Sequence, residues 1–452
     1  MKKYFILLIS TVLVYNCESF TDINLPDNQL TGKVVFEDVQ TADAALTHVY
    51  TLLFSETLVT GNQRGIGVLM GAYGDEQTYH TTEGFAQGVF FLNQVAPNDN
   101  TIMTLWDKSY HAIYALNAII EGVEKSNITE TDKNKLLGEA YFTRAYIHYF
   151  LYGLFDEIPY ITSTDYELNS KTGKLKPGEL IDALQNDLER AAQFLKNVPQ
   201  HVLKGRPSID AVKVLQARTA LLQQDWDSVI RLTSEIIDSN HYSLETDLNL
   251  VFLKESTETI WQLMAKAGNN AMEGASYIFT KIPPVQSMSE SLYNSFEISD
   301  LRKTHWTKTL SNETQSFTHS FKYKYNQPTG TSMEYSVQLR LAEVYLMRAE
   351  AYIQSGQTDM GLDDINMIRQ RAGLENRMTA SEQTVLQYLI EERQHELFSE
   401  HGHRFFDLKR WDKLDEVLSN VKPNWQTAYK NLPLPEKELL LNPNLNPQNN
   451  GY

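Results

Sequence analysis

Glu392-Arg-Gln-His395 carries a Glu-x-x-His spacing, which places a carboxylate and an imidazole on one face of a helix. Helical bundles use two such motifs, with extra glutamates, to hold a di-iron centre. No second copy stands in a matching context, and nearby His401 and His403 flank Gly402, a helix stop. Glu392, Arg393, Glu396 and Arg404 therefore read as ion pairs that fix a helical hairpin. The carboxylate pairs Glu391-Glu392 and Asp363-Asp364 have the groups that hydrolysis of a glycosidic bond requires. That reaction needs two carboxylates at a set separation across a cleft. These are neighbours on helices, and read as solvated faces. Arg144 and His148 read as a polar pair packed between helices. The sequence has neither a glycine-rich phosphate loop with its lysine nor an HExxH zinc motif. No cofactor, metal site or catalytic residue is expected.

Binding chemistry is better represented. Met70-Gly-Ala-Tyr-Gly-Asp-Glu-Gln-Thr-Tyr-His80 mixes rings with polar groups on a glycine-jointed loop. Tyr73, Asp75, Tyr79 and His80 offer ring faces and hydrogen bonds to a hydroxyl-rich ligand. Between Lys266 and Lys324 helical periodicity is lost, and Tyr277 and Trp306 stand among several aromatics. So long a stretch without regular structure is usually functional. The chain has 24 Tyr, 19 Phe and 6 Trp, most of them packing material, and a few suited to stacking on the apolar faces of sugars.

The 452 residues are 42% hydrophobic, enough for a large core. The formal net charge of −17 disfavours nucleic acid and acidic lipid headgroups, since no basic stripe offsets the repulsion. The single cysteine, Cys17, rules out a disulfide within the chain. It follows Lys2, Lys3 and a short apolar run from Tyr4 to Tyr15, too short to span a bilayer. Residues 1–16 read as a secretory signal and Cys17 as the lipidated first residue of a mature lipoprotein. Residues 17–33 are polar and turn-rich, and read as a tether.

The elements that must position any site are helical. Apolar residues recur at three- and four-residue steps over 36–54, 103–123, 131–155, 177–194, 208–221 and 339–353. Thr41 or Asp43 is expected to cap the first helix, Ser208 the fifth. Gly356 ends the last of these, and Thr358 or Asp359 caps its successor, 360–371. Helix, tight turn and helix together read as tetratricopeptide-type hairpins. Thr257 to Leu263 reads as a short strand, and the prolines after Pro423 exclude a long terminal helix.

"LRLAEVYLMRAEAY" paired with "ERQHELFSEHGHRFFDLKRW" resembles the C-terminal half of the SusD/RagB proteins. "GEAYFTRAYIHYFLYGLFDEIPY", Asp300-Leu301-Arg302 and "LPLPEKELLLNPNLNPQN" extend the resemblance over nearly the whole chain. It implies a mainly α fold: a tetratricopeptide-like helical-repeat scaffold with a large loop-rich insertion and a few short strands. Residues 34–452 would form one domain: 34–240 with the first repeat hairpins, 241–330 the irregular ligand face, and 331–452 the C-terminal part. It also implies a lipid-anchored protein on the outer-membrane surface, which captures an oligosaccharide for a TonB-dependent, SusC-like β-barrel transporter. Tyr73, Asp75, Tyr79, His80, Tyr277 and Trp306 would line the ligand face. A peptide ligand, as some relatives bind, a glycan hydrolase on the same scaffold, and a scaffold that binds only protein are the alternatives.

Overall fold

The computed structural model describes residues 35–81 and 84–452. The apolar leader, Cys17 and the tether lie outside the described residues. Helix α1 (Val39–Ser55) is capped by Asp38, whose side chain accepts from the amides of Gln40 and Thr41. The expected caps Thr41 and Asp43 fall inside the helix; the Thr41 hydroxyl instead donates back to the Val35 and Asp38 carbonyls. Then come α2 (Ile66–Tyr73), α3 (Ala86–Phe91), α4 (Asn100–Lys125) and α5 (Glu130–Phe155). α5 is followed by α6 (Pro177–Leu195), α7 (Ile209–Gln223) and α8 (Trp226–Asp238).

Successive helices pack on one another: α4 on α5, α5 on α6, α6 on α7, α7 on α8. α6 shows why. Leu180, Ile181, Leu184, Leu188, Ala191 and Leu195 are buried at helical spacing, and Pro177 supplies the preset first turn. The stack then skips a hundred residues, because α8 packs directly on α9 (Leu341–Gln354). Gly356, at φ +79°, turns the chain into α10 (Thr358–Arg371), and α11 (Glu382–Leu397) and α12 (His403–Arg410) follow. The expected caps Thr358 and Asp359 lie inside α10, behind an N-cap at Gln357. The fold is mainly α, a tetratricopeptide-like scaffold.

The apolar stripe expected to start at Leu339 begins differently. Ser336–Arg340 is a fully buried strand, β6, antiparallel to β2 (Thr259–Leu263). Val337 and Leu339 alternate with buried Ser336, Gln338 and Arg340, and Leu339 stands only two residues before Leu341, so the strand's apolar positions run into those of α9. The 266–324 stretch is not structureless either. It holds β3 (Gln286–Met288), the hairpin β4 (Thr307–Ser311) and β5 (Ser316–Ser320), and three helices of five or six residues. Elements this short do not complete a readable period.

This insertion is fastened to the scaffold by charge. Arg302 ion-pairs with Asp300 at 2.8 Å, Glu392 at 2.6 Å and Glu396 at 3.1 Å. Arg340 reaches Glu258 at 2.8 Å, Glu396 at 2.6 Å and Glu400 at 2.8 Å. Arg371 bridges Glu258 and Glu396, and Lys322 meets Glu400. Each of these side chains is at most 7% exposed. Burial opposes ionisation of Glu396, but Arg371, Arg340 and Arg302 hold its carboxyl well below the usual range. The expected ion pairs are present and reach beyond one hairpin: Arg393 holds Asp407, and Arg404 holds Asp75. Two carboxylates expected on solvated faces are interior instead, Glu392 on Arg302 and Asp364 on Arg348. Arg144 pairs with Asp187, and His148 accepts from the Ile161 amide, so both are packing groups.

Where α2 ends, Glu76 enters the interior without a cation. Burial pushes its carboxyl up to about 8, and the charge of Asp75 adds to this. Glu273 is likewise pushed up to about 7 by burial.

Two outcomes follow for stability. Arg340→Met leaves Glu258, Glu396 and Glu400 short of a buried partner and should cost about 3–5 kcal/mol, read from urea unfolding. Glu76 binds a proton more tightly in the folded chain than in the unfolded one. Its contribution is therefore full below its ordinary value of 4.5 and is lost as pH rises through about 8. Relative to the native chain, Glu76→Gln should lose less stability between these values, with a difference in slope of at most about 1.4 kcal/mol per pH unit.

Candidate functional site

β1 (Gln77–Tyr79) pairs antiparallel with β3, Thr78 opposite Ser287 and Tyr79 opposite Gln286. This joins the loop after α2 to the insertion. The joint is locked from below: the Ser289 amide donates to the Glu76 carbonyl at 2.8 Å and its hydroxyl to the Asp75 carbonyl at 2.7 Å. Arg404 grips the Asp75 carboxylate through Nε and Nη2. Asp75 is thus a strut between α12 and β1.

The period-two geometry of β1 sends Tyr79 and His80 to opposite sides. The Tyr79 ring lies against Gly88 of α3, where a Cβ would stand 2.6 Å from the ring, and its centroid is 6.4 Å from that of Phe91. The Tyr79 hydroxyl accepts from the Phe85 amide at 3.4 Å. His80 donates its amide to the Val285 carbonyl at 3.0 Å, and its Nε2 meets the Ser287 hydroxyl at 2.7 Å. Half-burial lowers the His80 pKa, so at neutral pH the imidazole is uncharged and can share hydrogen bonds with hydroxyls.

The β4–β5 hairpin supplies the next ring. Asn312 accepts from the Thr314 and Gln315 amides, forming the turn. Alternation then puts Phe317 and His319 on one side of β5, with Thr309 and Thr318 sharing a hydrogen bond on the other. Phe317 meets His80 edge-on at 4.8 Å and is half-buried. His319 is buried against Phe279 at 4.8 Å and Phe321 at 5.8 Å. Phe85, Leu92 and Val285 beside this strip are exposed. Tyr79 with Phe85 on one side of the strand, and His80 with Phe317 on the other, are thus partly exposed rings around a strand-braced support.

Three expected ligand-face rings are elsewhere. Tyr73 is fully buried among Phe90, Phe405 and Trp425, and donates its hydroxyl to the Tyr429 carbonyl. Trp306 is fully buried with Phe252 and Phe398, its indole N–H on the Leu248 carbonyl. Tyr277 is buried beside Gly67. None presents a face to a ligand here; each fills space that a large rigid ring fills well. Sequence reasoning missed Phe317 and Phe85. The alternation in Ser316-Phe-Thr-His-Ser320 was the available signal for Phe317, and nothing distinguished Phe85.

Among the described residues no group of three or more His, Cys, Asp or Glu could hold a metal ion. Glu392 is taken by Arg302, and His395 shares a hydrogen bond with Ser295 at 2.9 Å. No described helix is long and apolar enough to cross a membrane.

Residues 303–452 match the family model described as the SusD family, and residues 69–221 one described as starch-binding associating with outer membrane. SusD-like protein P2 of Formosa agariphila is 25% identical, with all of both chains covered. A SusD superfamily protein of Bacteroides vulgatus superposes with a TM-score of 0.79 at 20% identity, covering 92% of this chain and all of the other. A laminarin-binding SusD-like protein superposes at 0.76 and 20% identity, covering 91% and 99%. One model includes the α5–α7 hairpins, the other the β4–β5 hairpin and α9–α12, and the relatives match end to end: the chain belongs to the SusD/RagB family.

Proposed function

We propose that this protein captures an oligosaccharide at the cell surface, without cleaving it, and delivers it to a TonB-dependent, SusC-like transporter in the outer membrane. The observation that carries this is the partly exposed His80–Phe317 ring pair, with Tyr79 and Phe85 on the other side of the same strand, on a support that the ion-pair network braces. Ring faces offer apolar area to the C–H face of a sugar, and the neutral His80 offers a hydrogen bond to its hydroxyls. A braced support loses little freedom on binding, which favours affinity. The matched model described as starch-binding, and the laminarin-binding protein with the same fold, support a glycan ligand. Lipid on Cys17 and a tether over 17–33 would keep captured ligand close to the pore.

Calorimetry against a panel of neutral glycans, with product analysis on the same panel, tests this. At least one glycan should bind, with no product formed. Phe317→Ala and Tyr79→Ala should each weaken binding by about 0.5–1.5 kcal/mol. Trp306→Ala should instead destabilise the chain by about 3–5 kcal/mol through loss of core packing. Product formation, or affinity indifferent to both surface rings, would overturn the reading.

A further inference from the structure

Helix α4 carries Trp106, Tyr110 and Tyr114 at four-residue steps, which places three rings along one face. Exposure rises along that row: Trp106 is buried, Tyr110 is half-buried, and Tyr114 is 51% exposed. The row lines a cavity of about 360 Å³, in the size range of small-molecule clefts. Its far side comes from the helical turns Tyr166–Asn169 and Glu436–Leu441, where Tyr166 is 80% exposed and Leu441 66%. Tyr114 also lines a second hollow of about 420 Å³, between Phe36 and the C-terminal half of α4. The two hollows thus adjoin at one ring.

The far side is firmly held. The Tyr110 hydroxyl donates to the Pro159 carbonyl at 2.7 Å, and Asn117 donates to the Ile161 and Ser163 carbonyls at 3.1 and 3.2 Å. Glu121 accepts from the Thr164 amide and hydroxyl, both at 2.8 Å. Asn442 and Asn444 then tie the chain's end to the Thr172 and Lys171 carbonyls at 2.8 and 2.7 Å. A concavity fixed in this way loses little freedom when it is filled.

The lining narrows the chemistry. Tyr114, Tyr166 and Leu441 crowd exposed apolar area around one opening, a mark of a binding surface. Among the described residues no Lys, Arg or His lines the 360 Å³ cavity, which disfavours an anion. Its charged groups are Asp107 and Glu438, and neither is in an ion pair among the described residues. Carboxylates accept strongly from hydroxyls, and ring faces match the C–H faces of pyranoses. Two hollows meeting at a ring suit a chain of linked sugars. We propose that this groove along α4 is a second binding site for a neutral oligosaccharide, with Tyr114 and Tyr166 as stacking faces and Asp107 and Glu438 as acceptors of its hydroxyls. The ligand class rests on the glycan reading above; the site shares no residue with Tyr79, His80, Phe85 or Phe317.

Calorimetry of the full chain with maltohexaose and with laminarihexaose tests it. At least one of these sugars should bind at two sites per chain. Tyr114→Ala combined with Tyr166→Ala should weaken one of the two about tenfold or more, and Asp107→Asn should weaken the same site. All three side chains are exposed, so these variants should unfold at the native temperature. Phe317→Ala should weaken only the other site. A single site that Phe317→Ala weakens and the groove variants leave alone overturns the inference while glycan capture stands. A single site with the opposite response upholds the groove and overturns the role of the strand-borne rings. No binding of either sugar overturns both.

Discussion

Buried cations persist inside a protein only if carboxylates meet them with good geometry, because removing an unpaired ion from water costs several kcal/mol. Arg302, Lys322, Arg340 and Arg371 are all met this way, by Asp300, Glu258, Glu392, Glu396 and Glu400. The partners come from widely separated stretches: 258 lies before the insertion, 300–322 within it, and 340 onward beyond it. Any shift of one stretch against another would strand a charge. The network therefore acts less as added stability than as a lock on relative position. It lets an irregular insertion keep one placement on a helical scaffold.

That lock reaches the strand-borne rings by short steps. Glu396 and Glu400 bracket the end of α11, and Ser399 between them donates its amide to Glu76 at 3.4 Å. Asp75 next door is held by Arg404 at the start of α12, and Ser289 ties both residues to the insertion. β1 is only three residues long, too short to hold its shape alone. Its rings point reproducibly because both its flank and its partner strand are pinned to the same charged centre.

Much of this architecture was legible in the sequence, and the failures have physical causes. Helix positions followed from apolar spacing, and Ser208 and Gly356 from capping and φ preferences. Caps at Asp38 and Gln357 were missed because several capping residues stood within one turn. Leu339 was misplaced because the strand passes into α9 with no turn residue between Arg340 and Leu341, so its apolar positions merge with the helical stripe. Glu392 and Asp364 looked solvated, since a charged residue is usually exposed, and their arginine partners lie 90 and 16 residues away. Among the expected site residues, Tyr79 and His80 are partly exposed, on opposite sides of one strand. Tyr73, Tyr277 and Trp306 are not, because ring type alone does not tell a core position from a surface one.

The same distinction bears on catalysis. Glu76 and Glu273 are carboxyls pushed up to about 8 and about 7 by burial, the condition a general acid needs at neutral pH. A raised pKa is not enough without room for a reacting bond. The Glu273 carboxylate presses on Gly61, where a Cβ would stand 2.1 Å from its carbon, and the cavity beside it is about 10 Å³, space for about one water. Glu76 is closed in by Gly71 and the 399 backbone. Burial that tunes these acids also denies them a sugar. The carboxylates of the lock are in turn committed to arginine and lysine. Access and acidity are thus separated at Glu76 and Glu273: the burial that raises these carboxyls is the burial that closes them off.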